Sequence, residues 1–214
     1  MNFSLNPEQQ MIQNTTRRFA QTKLPSHAKE IEEKDTPPSK GLRKQFAEMG
    51  FMGVNLPARY GGAGLGHLEA VLILEELAKI SIAVAFPVFE ASFGPALAIA
   101  HFAPEQLRQR ILPKVCSGDI VIAVSMSEPL AGTALTDLTT RGRMDGDKII
   151  LNGSKRWCSG GGHADAYVVY CRLSDSPGAN GIGAVLVEKG FSSIESSSSF
   201  GSSEYVSEEG KPEC

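Results

Sequence analysis

The chain has 214 residues, 42% of them hydrophobic and 21% charged, with a net charge of -3 at pH 7. That supports a substantial core in one large domain or two small ones, and removes the electrostatic case for nucleic acid or an anionic membrane surface as partner. The opening residues show neither a cationic stretch leading into an apolar one nor an Arg-rich presequence, no apolar run is expected to approach the ~20 residues that cross a bilayer, and the expected location is cytoplasmic.

The first 120 residues read as helices. Asn6-Pro7-Glu8-Gln9 offers an N-cap, a proline at the first helical position and a Gln at the third, after which Met11, Ile12, Thr15 and Phe19 recur at helical spacing. Leu24-Pro25 is expected to end that helix. A second helix is expected over Ser39 to Met49, with Leu42 and Phe46 inward and Gly50 as its stop. Phe51 to Gly66, with Pro57 and Tyr60-Gly61-Gly62-Ala63-Gly64, reads as a loop with short extended pieces. A third helix covers His67 to Ala78. A fourth, Ala-rich and apolar around most of its circumference, runs from Pro87 to about Phe102, and Pro104 opens a last one stopped by Gly118.

From Ile120 the pattern changes to short runs rich in β-branched and aromatic residues. Ile120 to Met126, Thr139 to Arg143, Lys148 to Trp157, Ala166 to Arg172 and Ile182 to Val187 read as strands, with Met144-Asp145-Gly146-Asp147 as a hairpin turn. Strands so spaced suggest a small antiparallel barrel or sandwich. Beyond Gly190 the chain is Ser-rich and acidic, a composition expected to stay disordered. The fold class is therefore α+β and multidomain: an all-helical domain over residues 1–119, an antiparallel β-domain over 120–190 and a tail over 191–214.

Cys116, Cys158, Cys171 and Cys214 are widely spaced, without a Cys-x-x-Cys pair or neighbouring histidines, so neither a zinc site nor a disulfide scaffold is expected. His27, His67, His101 and His163 are dispersed and read as surface residues. Gly62-Ala63-Gly64-Leu65-Gly66 lacks the Gly-x-Gly-x-x-Gly spacing and reads as a flexible loop.

Two blocks carry the functional signal: Ala123 to Thr133 (Ala-Val-Ser-Met-Ser-Glu-Pro-Leu-Ala-Gly-Thr) and Leu151 to Gly160 (Leu-Asn-Gly-Ser-Lys-Arg-Trp-Cys-Ser-Gly). Taken singly, Ser127, Trp157 and Ser159 are ordinary strand residues. Together, in this order and behind a helical domain, the blocks resemble the middle domain of the acyl-CoA dehydrogenase family, with its Thr-Glu-Pro-x-Ala-Gly-Ser-Asp loop and Leu-Asn-Gly-x-Lys-x-Trp-Ile-Thr strand. Ala134 stands where that family has Asp, Thr133 replaces Ser, and Cys158-Ser159 replaces Ile-Thr. Resemblance covers roughly residues 5 to 190.

The resemblance implies FAD as cofactor and an acyl-CoA thioester as substrate, oxidised across Cα–Cβ. A flavin needs an aromatic wall and short hydroxyl side chains at its polar edge. Ser125 with Ser127, and Trp157 with Ser159, would share faces as alternate strand residues. By resemblance Val124, Met126 and Ser127 line the ring, Trp157 packs against it, Ser159 bonds near N5, and Thr133 lies near the phosphates. It further implies an electron-transfer flavoprotein as acceptor and a homo-oligomer in the full-length protein, with no nucleic acid and no membrane insertion.

The family's catalytic glutamate lies on a C-terminal helical domain that nothing in this sequence matches. No catalytic residue and no metal ligand is assigned, and the chain reads as a truncated member whose isolated activity is impaired. Relatives of the same fold run desulfination, nitroalkane oxidation or flavin-dependent monooxygenation. A non-catalytic binding protein is the remaining alternative.

Overall fold

A computed structural model of the chain describes residues 4–146 and 148–190, so the expected tail, Cys214 and Asp147 of the hairpin lie outside the described residues. The chain divides into two compact units, Met1–Val121 and Ile122–Cys214.

In the helical unit, α1 (Pro7–Lys34) opens with a capping box: the Asn6 side chain accepts from the Gln9 backbone N–H at 2.8 Å, and the Gln9 side chain accepts from the Asn6 N–H at 3.1 Å. The helix does not end at Pro25, which lies inside it. Pro25 is exposed and removes one backbone donor. The turns beyond it carry ion pairs at four-residue spacing, Lys29 with Glu33 and Glu30 with Lys34, before Asp35 turns left-handed at φ 47°. Helix α2 (Lys40–Glu48) is capped by the Ser39 hydroxyl and buries Leu42 and Phe46. Phe46 meets Phe19 of α1 and Phe51 at centroid distances of 6.0 and 6.5 Å. The loop over 51–66 holds turns and a short 3-10 turn, Ala58–Tyr60, in place of the expected extended pieces.

Helix α3 (His67–Ala78) docks on α1 through Glu76, only 2% exposed, whose carboxylate accepts from Arg17 at 2.9 and 3.1 Å and from Lys79 at 2.9 Å. The expected single helix from Pro87 is two: α4 (Ile82–Ser92), capped by the Ser81 hydroxyl, and α5 (Pro95–Phe102). Gly94 leaves the helical region at φ -90°, ψ -137° because the residue before a proline is driven out of it. Ile82–Phe102 is also long and apolar enough to cross a membrane by length and composition, which corrects the expectation that no run reaches that length. More than half of it is buried within the protein, as a core segment would be. Helix α6 (Glu105–Cys116) completes the unit.

The second unit is built on one five-stranded sheet: β1 (Ile122–Ser125), β2 (Arg141–Asp145), β3 (Lys148–Asn152), β4 (Ala166–Arg172) and β5 (Ile182–Glu188). The sheet is mixed, which corrects the antiparallel expectation. β4 pairs with β1 in parallel, from Ile122 opposite Ala166 to Ser125 opposite Val169, and with β5 antiparallel. Parallel pairing follows from the connection: residues 126–165 separate β1 from β4, whereas a tight turn would have forced them antiparallel. β2 and β3 form the expected hairpin, with Gly146 at φ 64° in its turn. Ala123, Ile149, Leu151, Tyr167, Val169 and Val185 pack the core.

Strand β3 stops at Asn152, five residues before the expected end at Trp157. Gly153 adopts φ 151°, and a Cβ there would lie 2.4 Å from Thr140 Oγ1, so the chain can turn off the sheet only with a glycine at this point.

Glu90 on α4 is 4% exposed, and burial pushes its carboxyl up to about 8. Its folded value exceeds the ordinary 4.5, so the associated stability is complete below pH 4.5 and is lost as pH rises through about 8. Thermal melts of the chain should show a midpoint falling over this window, by up to ~1.4 kcal/mol per pH unit. Glu90→Gln should flatten that slope and raise the midpoint at alkaline pH; parallel slopes in the two proteins would refute the assignment.

Candidate functional site

The two sequence blocks lie side by side in the sheet unit. The first leaves β1 at Ser125 and turns through Glu128 to Ala131, whose backbones exchange two hydrogen bonds at 2.8 and 3.3 Å. The Glu128 side chain points inward. Its carboxylate accepts from the Thr139 backbone N–H at 2.6 Å, the Thr139 hydroxyl at 2.8 Å and the Thr140 N–H at 2.9 Å. It also pairs at 2.8 Å with the Lys155 ammonium from the second block, and the two side chains are 3% and 1% exposed.

Lys155 donates further to the Met126 carbonyl at 3.0 Å. The Arg156 backbone N–H donates to the Ser127 carbonyl at 2.8 Å, and the Cys158 thiol to the Val124 carbonyl at 3.4 Å. The second block is thereby tied to the first at three successive points. Burial alone would push the Glu128 carboxyl up, but the Lys155 ammonium and the hydrogen bonds from Thr139 and Thr140 outweigh it and hold the group at about 2. Glu128 is thus ionised at neutral pH and a poor proton acceptor.

Val124 is half-buried in β1, and Met126 and Ser127 are half-buried just beyond it. Because the strand ends at Ser125, alternation does not place Ser125 and Ser127 on one face. Ser125 is fully buried and its hydroxyl has no hydrogen-bond partner among the described residues, whereas Ser127 lies on irregular backbone. Trp157 and Ser159 are likewise off any strand. Trp157 has φ 60°, its indole is 66% exposed, and Ser159 is exposed in the following turn. A non-glycine residue in that left-handed region costs roughly 1–2 kcal/mol, and such strain persists only where neighbouring contacts impose it.

Thr133 is exposed on the bend after Ala131, apart from the stapled segment. The structure therefore brings Val124, Met126, Ser127 and Trp157 into one tied segment with Ser159 next in line, and leaves Thr133 outside it.

Sequence reasoning missed Glu128 and Lys155. The available signal was a lone acid, Glu128, in the first motif block and two adjacent bases, Lys155 and Arg156, in the second. It also missed Arg172, whose guanidinium donates to the Leu138 carbonyl at 3.0 Å and to the Thr136, Ser176 and Gly178 carbonyls, fixing the two loops at that end of the sheet. Among the described residues no group of His, Cys, Asp and Glu side chains is arranged to hold a metal. His67, His101 and His163 are exposed and His27 is half-buried.

An exposed indole in a segment that also holds Ser127 and the exposed Ser159 suits a planar aromatic ligand with polar edges. The two buried charges are spent on each other, and the exposed charge of the segment is that of Arg156 beside Trp157.

Comparison with known proteins bears on this geometry. Residues 6–119 match the acyl-CoA dehydrogenase N-terminal domain and residues 123–207 the acyl-CoA dehydrogenase middle domain, so the likeness continues past residue 190. Mitochondrial isovaleryl-CoA dehydrogenase of Pongo abelii is 35% identical over 198 residues, covering 90% of this chain and 46% of the relative. The 3-sulfinopropanoyl-CoA desulfinase of Advenella mimigardefordensis is 34% identical over 184 residues, covering 86% and 45%. Among solved structures, glutaryl-CoA dehydrogenase of Mycobacterium smegmatis in complex with FADH2 superposes with a TM-score of 0.82 at 28% identity, over 94% of this chain and 53% of that one. The chain spans about half the length of the curated relatives it matches.

Removing one member of a buried ion pair leaves an uncompensated charge and costs roughly 3–5 kcal/mol. Lys155→Met should therefore lower the urea midpoint of the sheet unit strongly. In the unaltered chain, Glu128 contributes stability that is present above pH 4.5 and is lost as pH falls toward about 2. Acid unfolding followed by circular dichroism should show that loss, and Glu128→Gln should abolish this part of the acid transition.

Proposed function

The chain belongs to the acyl-CoA dehydrogenase family, and from that membership we propose that it serves FAD-dependent α,β-dehydrogenation of an acyl-CoA thioester, its sheet unit carrying the flavin-facing surface. The observation that carries this reading is the tied segment around Trp157: an indole exposed on left-handed backbone, directly after Arg156, whose N–H holds the Ser127 carbonyl, and two residues before the exposed Ser159.

In this reading Trp157 packs against the flavin, Ser127 and Ser159 hydrogen-bond its polar edge, Val124 and Met126 line it, and Thr133 serves the phosphates. When bound, FAD supplies the acceptor for the hydride equivalent that leaves the acyl β-carbon. The chain's own residues bind and orient. Glu128, held at about 2 and committed to Lys155, is unsuited to take the α-proton of a thioester, which requires a more basic carboxylate in a desolvated pocket. That base belongs, by resemblance, to the C-terminal part of the family's members. An electron-transfer flavoprotein as acceptor, a homo-oligomeric whole protein and a cytoplasmic setting complete the proposal.

Desulfination is the second reading, favoured by the nearly equal identity to the desulfinase and to isovaleryl-CoA dehydrogenase. Sulfite release from 3-sulfinopropanoyl-CoA, against reduction of an artificial acceptor by isovaleryl-CoA, separates the two.

Titrating the purified chain with FAD should give a yellow complex with quenched Trp157 emission. Trp157→Ala should weaken binding by about tenfold, ~1.4 kcal/mol. A folded chain that is colourless once unbound FAD has been removed by gel filtration, and whose Trp157 emission FAD does not quench, would overturn the flavin reading.

A further inference from the structure

We propose that Glu128 and Lys155 are positioning residues that set the orientation of the Trp157 platform, a role that rests on the flavin reading above only for its purpose and on the chain's own geometry for its existence.

The contacts bracket Trp157 on both sides. Two residues before it, the Lys155 ammonium reaches the Met126 carbonyl at 3.0 Å and the Glu128 carboxylate at 2.8 Å. One residue before it, the Arg156 N–H holds the Ser127 carbonyl, and one residue after it the Cys158 thiol meets the Val124 carbonyl. Between these ties the backbone of Trp157 sits at φ 60° with its side chain mostly in solvent, a conformation that the indole's own packing does not impose.

Stability is an insufficient reason for the charges. A buried ion pair replaced by apolar groups of similar volume is commonly no less stable, because desolvation offsets the attraction. What an apolar pair lacks is direction. One ammonium with three donors fixes a carbonyl and a carboxylate in the same act. That carboxylate, through the Thr139 and Thr140 N–H groups, anchors the far side of the loop. The pair thus sets where the second block lies against the first, and Trp157 takes its strained orientation from that register.

The test uses the whole 214-residue chain, in which Trp157 is the only tryptophan, so its fluorescence anisotropy decay reports this site alone. The double variant Glu128→Gln/Lys155→Met removes both charges and leaves neither buried alone. Its circular dichroism should match the parent's, while the nanosecond local motion of Trp157 should increase about twofold in amplitude and FAD affinity should fall about tenfold. As a control, Ile73→Val trims the core of the helical unit, which holds neither member of the pair nor any of the ties; it should lower the unfolding midpoint and leave the motion of Trp157 unchanged. Should the double variant fail to fold, Thr139→Val, which deletes one hydroxyl anchor of Glu128, should raise the same motion by a smaller amount.

A folded variant whose Trp157 motion equals the parent's overturns the proposal, as does a control that mobilises the indole equally. If the parent binds no FAD but Trp157 loosens as stated, the positioning role stands and the flavin reading fails.

Discussion

One ion pair organises the sheet unit. Glu128 and Lys155 come from loops 27 positions apart in sequence, meet at 2.8 Å and are almost wholly shielded from water. Charges so placed survive only when nearly every donor and acceptor is satisfied, and here two backbone amides, a hydroxyl and a carbonyl complete the set. The arrangement neutralises the buried charges within the unit and leaves Arg156 as the exposed charge next to Trp157. The same contacts deny Glu128 the proton affinity that a catalytic base would need.

Three buried carboxylates show three outcomes of a single physical conflict between desolvation and pairing. Glu76 bridges two helices, and the hydrogen bond from Arg17 with that from Lys79 holds it below the ordinary carboxylate range despite burial. Glu128 is held lower still, at about 2, by Lys155 and the Thr139 and Thr140 groups. Glu90 has no partner for Oε2, and burial alone carries it to about 8, so it stays protonated at neutral pH. The first two carboxylates clamp elements of the chain together, whereas the third makes the helical unit sensitive to alkali.

The proposed site in the sheet unit rests on departures from regular structure. β3 ends at Asn152, and Gly153 lets the chain turn inward to bury Lys155 and then outward to expose Trp157 within three residues. A continuous strand through Trp157 would have put Lys155 and Trp157 on the same face, both inward or both outward. Breaking the strand is what allows a buried clamp and an exposed platform to stand so close in sequence. The mixed sheet serves the same end, because β1 and β4 run in parallel and the long connection between them carries both motif blocks.

Local signals were legible wherever local physics decides. The cap at Asn6-Pro7-Gln9, the helix His67–Ala78 and strand β4 over Ala166–Arg172 follow from capping chemistry, periodicity and β-branched content, and each stands where the sequence put it. The family and its cofactor class were likewise readable, since two motif blocks in order are a property of the chain alone. Pro25 misled because a local rule about prolines does not weigh the ion pairs of the following turns. The break at Gly94-Pro95 obeys a local rule, a proline driving the residue before it out of the helical region, that the apolar pattern of the surrounding run masks. Left to tertiary structure were the parallel pairing of β1 with β4, the meeting of Glu128 with Lys155 and the left-handed turn at Trp157. Each depends on which distant segments share the low-dielectric interior, and the free energy of a contact made there does not exist until the chain has closed upon itself.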